Sequence, residues 1–261
     1  MTVRPLVMGI VNVTPDSFSD GGLYDRPSAA IEHGRRLLAE GADLLDVGGE
    51  SSRPGADAVA EDVELARVVP VVEALAGDAR VSIDTAKPAV ARAAVGAGAT
   101  LLNDVTASLG PVAAELGVGW VAMHMLGEPR TMQDDPRYAD VVTDVTAHLV
   151  ARAEAARAAG VGEVWIDPGI GFGKTAAHNW ALLAAVPRLV ATGFPVVVGS
   201  SRKAFLGALL AAADGEEGPV PTDDRLEGSV ATAVRAVADG ASMVRVHDVA
   251  ATVAALRAVA A

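Results

Sequence analysis

Short apolar runs recur along this chain, and nearly every run ends in a polar or glycine residue. The run ends are, in order, Asn12, Gly48-Gly49-Glu50, Asp84, Asn103-Asp104, His124, Asp167, Gly199-Ser200-Ser201 and Arg245-Val246-His247. Segments with helical patterns separate these runs, so strands alternate with helices, as parallel strands with crossover helices require. Eight repeats of this unit predict an α/β fold, a single (β/α)8 TIM barrel that occupies residues 1–261 as one domain.

The position of the polar residues predicts where this barrel acts. In such barrels the loops after the strand C-termini form the active site. A polar residue at the end of an apolar strand is therefore predicted to face the site.

Local patterns give more detailed expectations. Ser28 is expected to cap a helix over residues 29–40, and further helices and strands include a sixth helix over 178–192 and a seventh strand over 195–199. The acidic, glycine-bearing stretch 214–224 is expected to be a surface loop between two helical pieces.

The composition narrows the possible functions. Hydrophobic residues make up 51% of the chain and aromatic residues only 3%, which fits a barrel core of branched aliphatic side chains. A net charge of −12 argues against nucleic acid or an anionic membrane as partner. The absence of cysteine excludes disulfides and thiolate chemistry and is compatible with a reducing cytoplasm. We expect a cytoplasmic protein, since neither a signal-peptide pattern nor a transmembrane run is found.

Two carboxylates, Asp84 and Asp167, end the third and sixth strands. A buried carboxylate is unfavourable unless it is paired. A metal pair lacks a supporting motif, and a structural role as loop caps stays open for either residue alone. Recognition of a heterocycle rich in N–H groups is the favoured interpretation, because a carboxylate accepts two parallel N–H bonds.

The asparagines at two other strand ends are open to two interpretations. Asn103-Asp104 is either part of the site or a turn that satisfies its own backbone. Asn12 is either a turn residue or an amide ligand of a hard cation such as Mg²⁺, which takes few protein ligands together with substrate phosphates.

Basic residues near the predicted mouth suggest an anionic substrate. Arg245 and His247 lie two apart and share a face of the last strand, and Arg53 and Arg202-Lys203 can converge on the same opening. A phosphate or pyrophosphate is the favoured ligand, whereas salt-bridged surface arginine is the alternative. The run Gly199–Lys203 leads from a strand into a helix, whose N-terminal N–H groups can face an anion.

The glycine-rich run from Asp167 to Lys174 has only a superficial likeness to a phosphate loop. It lacks the Gly-x4-Gly-Lys-Ser/Thr spacing, so ATP is not expected there. Its glycines are expected to allow close approach to a flat ligand, with Phe172 as a packing surface. His124 is equally well interpreted as a hydrogen-bonded support or as a catalyst.

Together these residues resemble the motifs of the dihydropteroate synthase family, the pterin-binding barrel enzymes of folate synthesis. The resemblance covers essentially the whole chain and rests on the runs Gly9–Gly22, Gly48–Ala56, Ser82–Thr85, Asn103–Val105, Asp167–Lys174, Gly199–Lys203 and Arg245–Asp248. Members condense 6-hydroxymethyl-7,8-dihydropterin pyrophosphate with 4-aminobenzoate and release pyrophosphate. They are usually homodimers and are targets of sulfonamides.

The resemblance also implies residue roles. The implied catalytic residues are Asp84, Asp167, Lys203 and Asp20. The pterin would contact Asp84, Asn103, Val105, Met123, Asp167, Phe172, Gly199 and Lys203. The pyrophosphate, with Mg²⁺ on Asn12, would contact Asn12, Arg53, Arg245 and His247. The 4-aminobenzoate would contact Phe18, Ser52, Arg53, Pro54, Phe172 and Ser201.

Two departures from the family pattern are small. Leu126 replaces a long polar residue common in members, and Ser52 replaces a common threonine while keeping the hydroxyl. Two alternatives stay open beside the synthase: a pterin-binding barrel of a methyltransferase, against which the basic cluster argues, and a paralogue that binds pterin without turnover.

Overall fold

The strands of the chain form one parallel sheet. The computed structural model describes residues 4–14, 26–53, 55–215, 218 and 220–260. Its strands are Leu6–Asn12 (β1), Leu44–Gly48 (β2), Arg80–Asp84 (β3), Leu101–Asp104 (β4), Gly119–Met123 (β5), Val164–Asp167 (β6), Val197–Val198 (β7) and Met243–Val246 (β8).

Helices follow the strands along the chain. Their bounds are Arg26–Ala39 (α1), Glu61–Leu75 (α2), Pro88–Gly96 (α3), Gly110–Leu116 (α4), Val141–Ala158 (α5), Ala176–Ala184 (α6), Val186–Val190 (α7), Ala204–Asp214 (α8), Leu226–Ala238 (α9) and Val249–Ala260 (α10). Side-chain caps mark two of the starts: at α5 the Asp140 carboxylate accepts a hydrogen bond from the Thr143 amide at 2.7 Å, and Thr175 and His178 form a capping box at α6.

The strand order confirms the predicted barrel. The order is β6-β5-β4-β3-β2-β1-β8-β7, and all paired strands are parallel. A parallel bridge between Ile166 and Val196 joins the two ends of the sheet. Since every connection crosses from one parallel strand to the next, the C-terminal ends of all strands meet at one mouth.

Apolar side chains fill both faces of the sheet. One set packs between strands and helices and includes Val11, Leu45, Val47, Ile83 and Val244. A second set forms a layer inside the barrel, namely Met8, Leu44, Leu101, Val121, Trp165, Val197 and Met243. Because successive strand residues point to opposite faces, the residue two positions after each inner-layer residue points inward one step nearer the mouth.

Several element boundaries differ from the sequence expectation. Helix α1 begins at Arg26, so Ser28 lies in its first turn and is not the N-cap. The expected helix over 178–192 is split into α6 and α7, because Pro187 has no N–H to continue the ladder. Strand β7 is only Val197–Val198, since Pro195 also lacks a donor, and its carbonyl accepts from the Ile166 amide instead. Helix α4 lies between β4 and β5, where the predicted alternation of strands and helices requires a helix.

Between α8 and α9 the described residues 215, 218 and 220–225 include a short 3-10 helix, Thr222–Asp224. Within the described part of the chain, no helix has the length and hydropathy needed to cross a membrane.

Candidate active site at the barrel mouth

A pocket opens at the C-terminal ends of the strands. All eight residues that the resemblance assigns to the pterin line it: Asp84, Asn103, Val105, Met123, Asp167, Phe172, Gly199 and Lys203. Ser52, Gly169, Ile170 and Arg245 complete the lining. The pocket therefore draws on β3, β4, β5, β6 and β8 and on the loops after β2, β4, β6 and β7.

Strand geometry explains this convergence. Asn103, Met123, Asp167, Gly199 and Arg245 each follow an inner-layer residue by two positions. The apolar layer thus forms the floor of the barrel, and the next inward position on each strand supplies the pocket wall.

Arg245 crosses the pocket floor between two carboxylates. Its Nη2 donates to Asp84 Oδ2 at 2.7 Å, and its Nε donates to Asp46 Oδ2 at 2.6 Å. The same Asp46 oxygen accepts from Asn103 Nδ2 at 2.9 Å. Asp84, Asn103 and Arg245 are therefore held in one hydrogen-bonded group whose centre is Asp46.

Sequence reasoning did not identify Asp46. The residue is fully buried on β2, below the mouth, and does not end a strand. The sequence does contain a signal for Asp46, because this one carboxylate interrupts the apolar run Leu44-Leu-Asp-Val47 and a buried carboxylate requires a partner.

Asp167 ends β6 and starts a tight turn. Its Oδ1 accepts from the Gly169 amide at 2.7 Å. Gly169 has φ +63°, and a Cβ there would lie 1.9 Å from the His124 carbonyl oxygen. Only glycine fits this position, so the turn brings the loops after β5 and β6 into direct backbone contact.

Lys203 and Phe172 are in contact at the pocket wall. The Lys203 Nζ lies 3.8 Å from the centroid of the Phe172 ring, a cation–π arrangement. Both residues line the cavity, and they offer a cation and a flat apolar face to a ligand.

Burial shifts the ionisation of this group toward neutrality. Burial raises the pKa of Asp84 to about 7, although Arg245 opposes the shift. Burial also raises the pKa of Asp167 and lowers that of Lys203 to about 7. The cause of these shifts is that protein largely replaces water around the three side chains. Without that water, any charge they carry interacts strongly with a bound ligand.

The basic residues predicted to bind the anion are more widely spread than the sequence suggested. Arg53 is exposed, and neither it nor His247 lines the pocket, whereas Arg245 does. Burial and the nearby Arg245 lower the pKa of His247 to about 3, so this imidazole is a neutral hydrogen-bonding group at physiological pH. Arg202 does not join the mouth, because it forms a two-point ion pair with Asp248 at 2.6 and 3.0 Å.

Ser201 is tied to the exit of β8. Its hydroxyl lies 3.0 Å from His247 Nδ1 and 3.2 Å from the His247 amide. The two amides after Ser201 already have partners, because the Arg202 amide donates to Ser229 Oγ and the Lys203 amide donates to the Ser200 carbonyl. Helix α8 begins only after Lys203.

A metal would find few ligands in this part of the protein. Asn12 ends β1 beside Gly48 of β2. Among the residues that the structure describes, no group of three or more His, Cys, Asp or Glu side chains is placed to hold a metal ion. The Asn12 amide is a hard oxygen donor, which fits Mg²⁺ completed by water and ligand phosphates and does not fit a cage made by protein alone. The predicted residues Phe18, Asp20 and Pro54 lie outside the described residues.

His124 and Lys174 support the walls from behind. The buried Lys174 Nζ lies 3.0 Å from His124 Nδ1 and donates to the carbonyls of His124 and Phe172 at 3.2 and 2.9 Å. Of the two interpretations of His124, the structure favours the hydrogen-bonded support. Burial and Lys174 lower its pKa to about 3.

A second buried network supports the loop after β2. Lys87 Nζ donates to Glu50 Oε2 and to Glu64 Oε2, both at 2.5 Å, and Glu64 is fully buried. Glu50 Oε1 accepts from the Val59 amide at 2.8 Å. This network joins α2, the start of α3 and the loop that carries Ser52 and Arg53.

Comparison with known proteins gives consistent matches. The model of a family described as pterin binding enzyme matches residues 8–247. A dihydropteroate synthase of Mycobacterium leprae (strain TN) is 50% identical over 269 residues, which cover 99% of this chain and 94% of the relative. A solved Xanthomonas albilineans dihydropteroate synthase with 4-aminobenzoic acid is 51% identical with a TM-score of 0.89, covering 99% and 94% of the two chains. Another structure from that organism, in complex with 7,8-dihydropteroate, is 47% identical with a TM-score of 0.85, covering 100% and 95%.

Proposed function

The chain belongs to the pterin binding enzyme family, and we propose that it condenses 6-hydroxymethyl-7,8-dihydropterin pyrophosphate with 4-aminobenzoate. The products are 7,8-dihydropteroate and pyrophosphate, so the chain acts as a transferase, a dihydropteroate synthase. One observation supports this most strongly: the eight residues assigned to the pterin, although spread over the chain from 84 to 203, line one pocket.

The pocket chemistry suits a pterin. Asp84 and Asp167 supply acceptors for the ring N–H and amino groups, and Asn103 adds an amide. Phe172 and Met123 supply apolar surface for a flat ring. Lys203 supplies a hydrogen-bond donor in the same pocket.

The reaction places positive charge on the pterin methylene. The bond between that carbon and the pyrophosphate oxygen breaks, and its electron pair leaves with the pyrophosphate. The carboxylates of Asp84 and Asp167 stabilise the cation, since fixed charges aimed at developing charge are typically a large part of catalysis. The aniline nitrogen of 4-aminobenzoate then forms the new carbon–nitrogen bond and loses a proton.

The pyrophosphate is assigned to Arg53, Arg245 and His247, with Asn12 holding Mg²⁺. When bound, Mg²⁺ would neutralise charge on the leaving pyrophosphate. His247, being neutral, donates a hydrogen bond and contributes no charge.

The 4-aminobenzoate is assigned to the rim of the pocket. Ser52 lies in the pocket lining, and Ser201 lies behind it against His247. Phe172 is assigned to both substrates because it lines the pocket and is only half-buried. Sulfonamides, which resemble 4-aminobenzoate, are expected to compete for this rim.

A coupled assay of pyrophosphate release tests the proposal. Release that requires both the pterin pyrophosphate and 4-aminobenzoate is the expected result. Release without 4-aminobenzoate would indicate hydrolysis, and tight pterin binding without any release would identify a binding paralogue without turnover. Either outcome would contradict the proposed activity.

Two further assignments belong to this proposal. A homodimer is expected, and exposed apolar side chains from α6, α8 and α9 offer a surface for a second copy: Trp180 (36% exposed), Leu209 (46%) and Leu226 (38%). Sedimentation analysis of the wild type and of a Leu209→Glu variant tests this surface.

We also infer a cytoplasmic location, with which the absence of cysteine is compatible.

A further inference from the structure

Asp46 is a buried carboxylate that no assignment of the site uses. Its side chain is fully buried on β2, beneath the pocket. Asp46 does not line the cavity. The two side chains that donate hydrogen bonds to it, Arg245 and Asn103, both line the cavity. A group that hydrogen-bonds two pocket side chains from below is placed to control their orientation.

The hydrogen bonds of Asp46 are unevenly distributed. Oδ2 accepts from Arg245 Nε at 2.6 Å and from Asn103 Nδ2 at 2.9 Å, whereas Oδ1 has no hydrogen-bond partner among the described residues. Across the ladder, Ser82 is paired in register with Asp46, and its buried hydroxyl likewise lacks a partner among them. A carboxylate buried with one unsatisfied oxygen is unfavourable for the fold alone.

The consequence of this arrangement is a fixed geometry for the pocket. The bond to Arg245 Nε sets the plane of the guanidinium, whose Nη2 then meets Asp84. The bond to Asn103 Nδ2 turns the amide oxygen of that side chain away from Asp46. One buried oxygen therefore orients Arg245, Asn103 and, through Arg245, Asp84.

We propose that Asp46 is a positioning residue for the pterin site, which orients Arg245 and Asn103 and supplies the negative charge that balances the guanidinium. This inference rests on the proposed function, because the ligand whose binding it controls is the pterin. Asp46 does not touch the substrate and takes no part in bond breaking.

Replacement with asparagine separates charge from shape. In Asp46→Asn the amide oxygen can accept both hydrogen bonds, and the amide nitrogen occupies the position of Oδ1, next to Ser82. The charge-assisted bond to Arg245 becomes a weaker neutral one. We expect the pterin pyrophosphate to bind about tenfold more weakly, as for one weakened bond to a charged group.

The pH dependence of kcat/KM distinguishes a positioning role from a purely structural one, because a purely structural role would leave it unchanged. Asp84 is faced by Arg245 from β8, Asp46 from β2, Glu64 from α2 and Lys203 from the residue just before α8. Loss of the Asp46 charge lowers the pKa of Asp84, because a negative neighbour disfavours its ionised form. The acidic limb of kcat/KM is therefore expected to move to lower pH in Asp46→Asn.

Asp104→Asn is a matched control. Asp104 is also a fully buried strand aspartate, and its Oδ2 accepts from the Leu109 amide at 2.6 Å and from Trp120 Nε1 at 3.1 Å. It does not line the pocket. We expect Asp104→Asn to lower the Tm without changing the pterin Kd or the acidic limb.

The experiment measures the pterin pyrophosphate Kd by calorimetry without 4-aminobenzoate, together with Tm and the pH profile. A folded Asp46→Asn protein with wild-type Kd and an unmoved limb would overturn the proposal. If that variant is insoluble, Asp46→Glu keeps the charge and displaces the carboxylate, so weaker pterin binding with an unmoved limb is expected. Wild-type binding in Asp46→Glu, or failure of both variants to fold, would assign Asp46 to the scaffold alone and overturn the proposal.

Failure of the proposed function would look different. A wild-type protein that binds no pterin pyrophosphate contradicts the proposed function before any variant is compared. A wild-type protein that binds pterin without turnover still allows the Kd comparison, so the positioning role is tested separately from the chemistry.

Discussion

Replacing Asp167 with asparagine removes one charge from the pocket while keeping the shape of the side chain. In the structure, Asp167 Oδ1 accepts from the Gly169 amide at 2.7 Å. The asparagine oxygen can keep this bond, and its amide nitrogen then takes the place of Oδ2. A donor would replace the acceptor that the pterin N–H groups are expected to meet, so both a hydrogen bond and a charge are lost.

The size of the effect follows from these two losses. A hydrogen bond to a charged group contributes about 1.5–3 kcal/mol, roughly a tenfold to a hundredfold change in an equilibrium or rate. Removing one electrostatic stabiliser of a transition state typically lowers kcat by about 10²–10³-fold. The two effects overlap, because they come from one group, and we expect kcat/KM of Asp167→Asn to fall about 10²-fold or more.

Stability should change in the opposite direction. Burial raises the pKa of Asp167 above its ordinary value, so the folded protein holds the proton more tightly than the unfolded chain. Stability is then lost as the pH rises from the ordinary pKa through the raised one. Asparagine carries no charge, and the variant is expected to have an equal or higher Tm at neutral pH.

Steady-state kinetics at saturating 4-aminobenzoate and a thermal melt on the same preparation measure both quantities. Asp104→Asn serves as the control, with lower Tm and retained kcat/KM. Near-wild-type kcat/KM in Asp167→Asn would refute the electrostatic role. A low rate accompanied by a lower Tm would instead point to a damaged fold and contradict the stability reasoning.

The remaining predictions concern the Mg²⁺ ligand Asn12, the 4-aminobenzoate contact Ser201 and the hydrogen-bonded networks around Lys87 and Lys174. Mg²⁺ is expected to bind weakly to the free protein, because Asn12 is its one predicted ligand, and calorimetry that finds tight binding without pyrophosphate would contradict the assignment. Ser201→Ala should raise the KM for 4-aminobenzoate about tenfold to a hundredfold, and the KM for the pterin pyrophosphate should rise less, because His247 loses its bond to the Ser201 hydroxyl; an equal rise in both would move Ser201 out of the 4-aminobenzoate site. Lys87→Met leaves the buried Glu64 without its cation, so urea unfolding should show a loss of about 3–5 kcal/mol that a second change, Glu64→Gln, partly restores; no loss would refute the buried pair. Burial lowers the pKa of Lys174 to about 7, so the unfolded chain binds more protons between that pH and the ordinary value of 10.5 and stability rises with pH, by at most about 1.4 kcal/mol per unit. Lys174→Met should flatten this rise in thermal melts between pH 7 and 9, and an unchanged slope would refute it.

Apart from the pocket residues that the family resemblance implied, the sequence by itself determined the barrel and the strand-end residues at its mouth. Both depend on short-range rules: a strand alternates its faces with period two, and parallel strands bring their C-terminal ends to one mouth. Asn103, Asp167 and Gly199 could therefore be placed at that mouth from their positions at strand ends, and the fold and family are confirmed. The roles of the site residues stay predictions.

Only the tertiary structure decided which charges meet. Arg202 and Lys203 are neighbours in sequence, yet Arg202 pairs with Asp248 and Lys203 faces Phe172. Asp46 and Arg245 are separated by 199 residues and share a hydrogen bond. Pairing of this kind depends on barrel closure and on side-chain direction, and neither can be inferred from neighbouring residues in the sequence. The same packing determines which ionisable groups lose water and therefore have a shifted pKa.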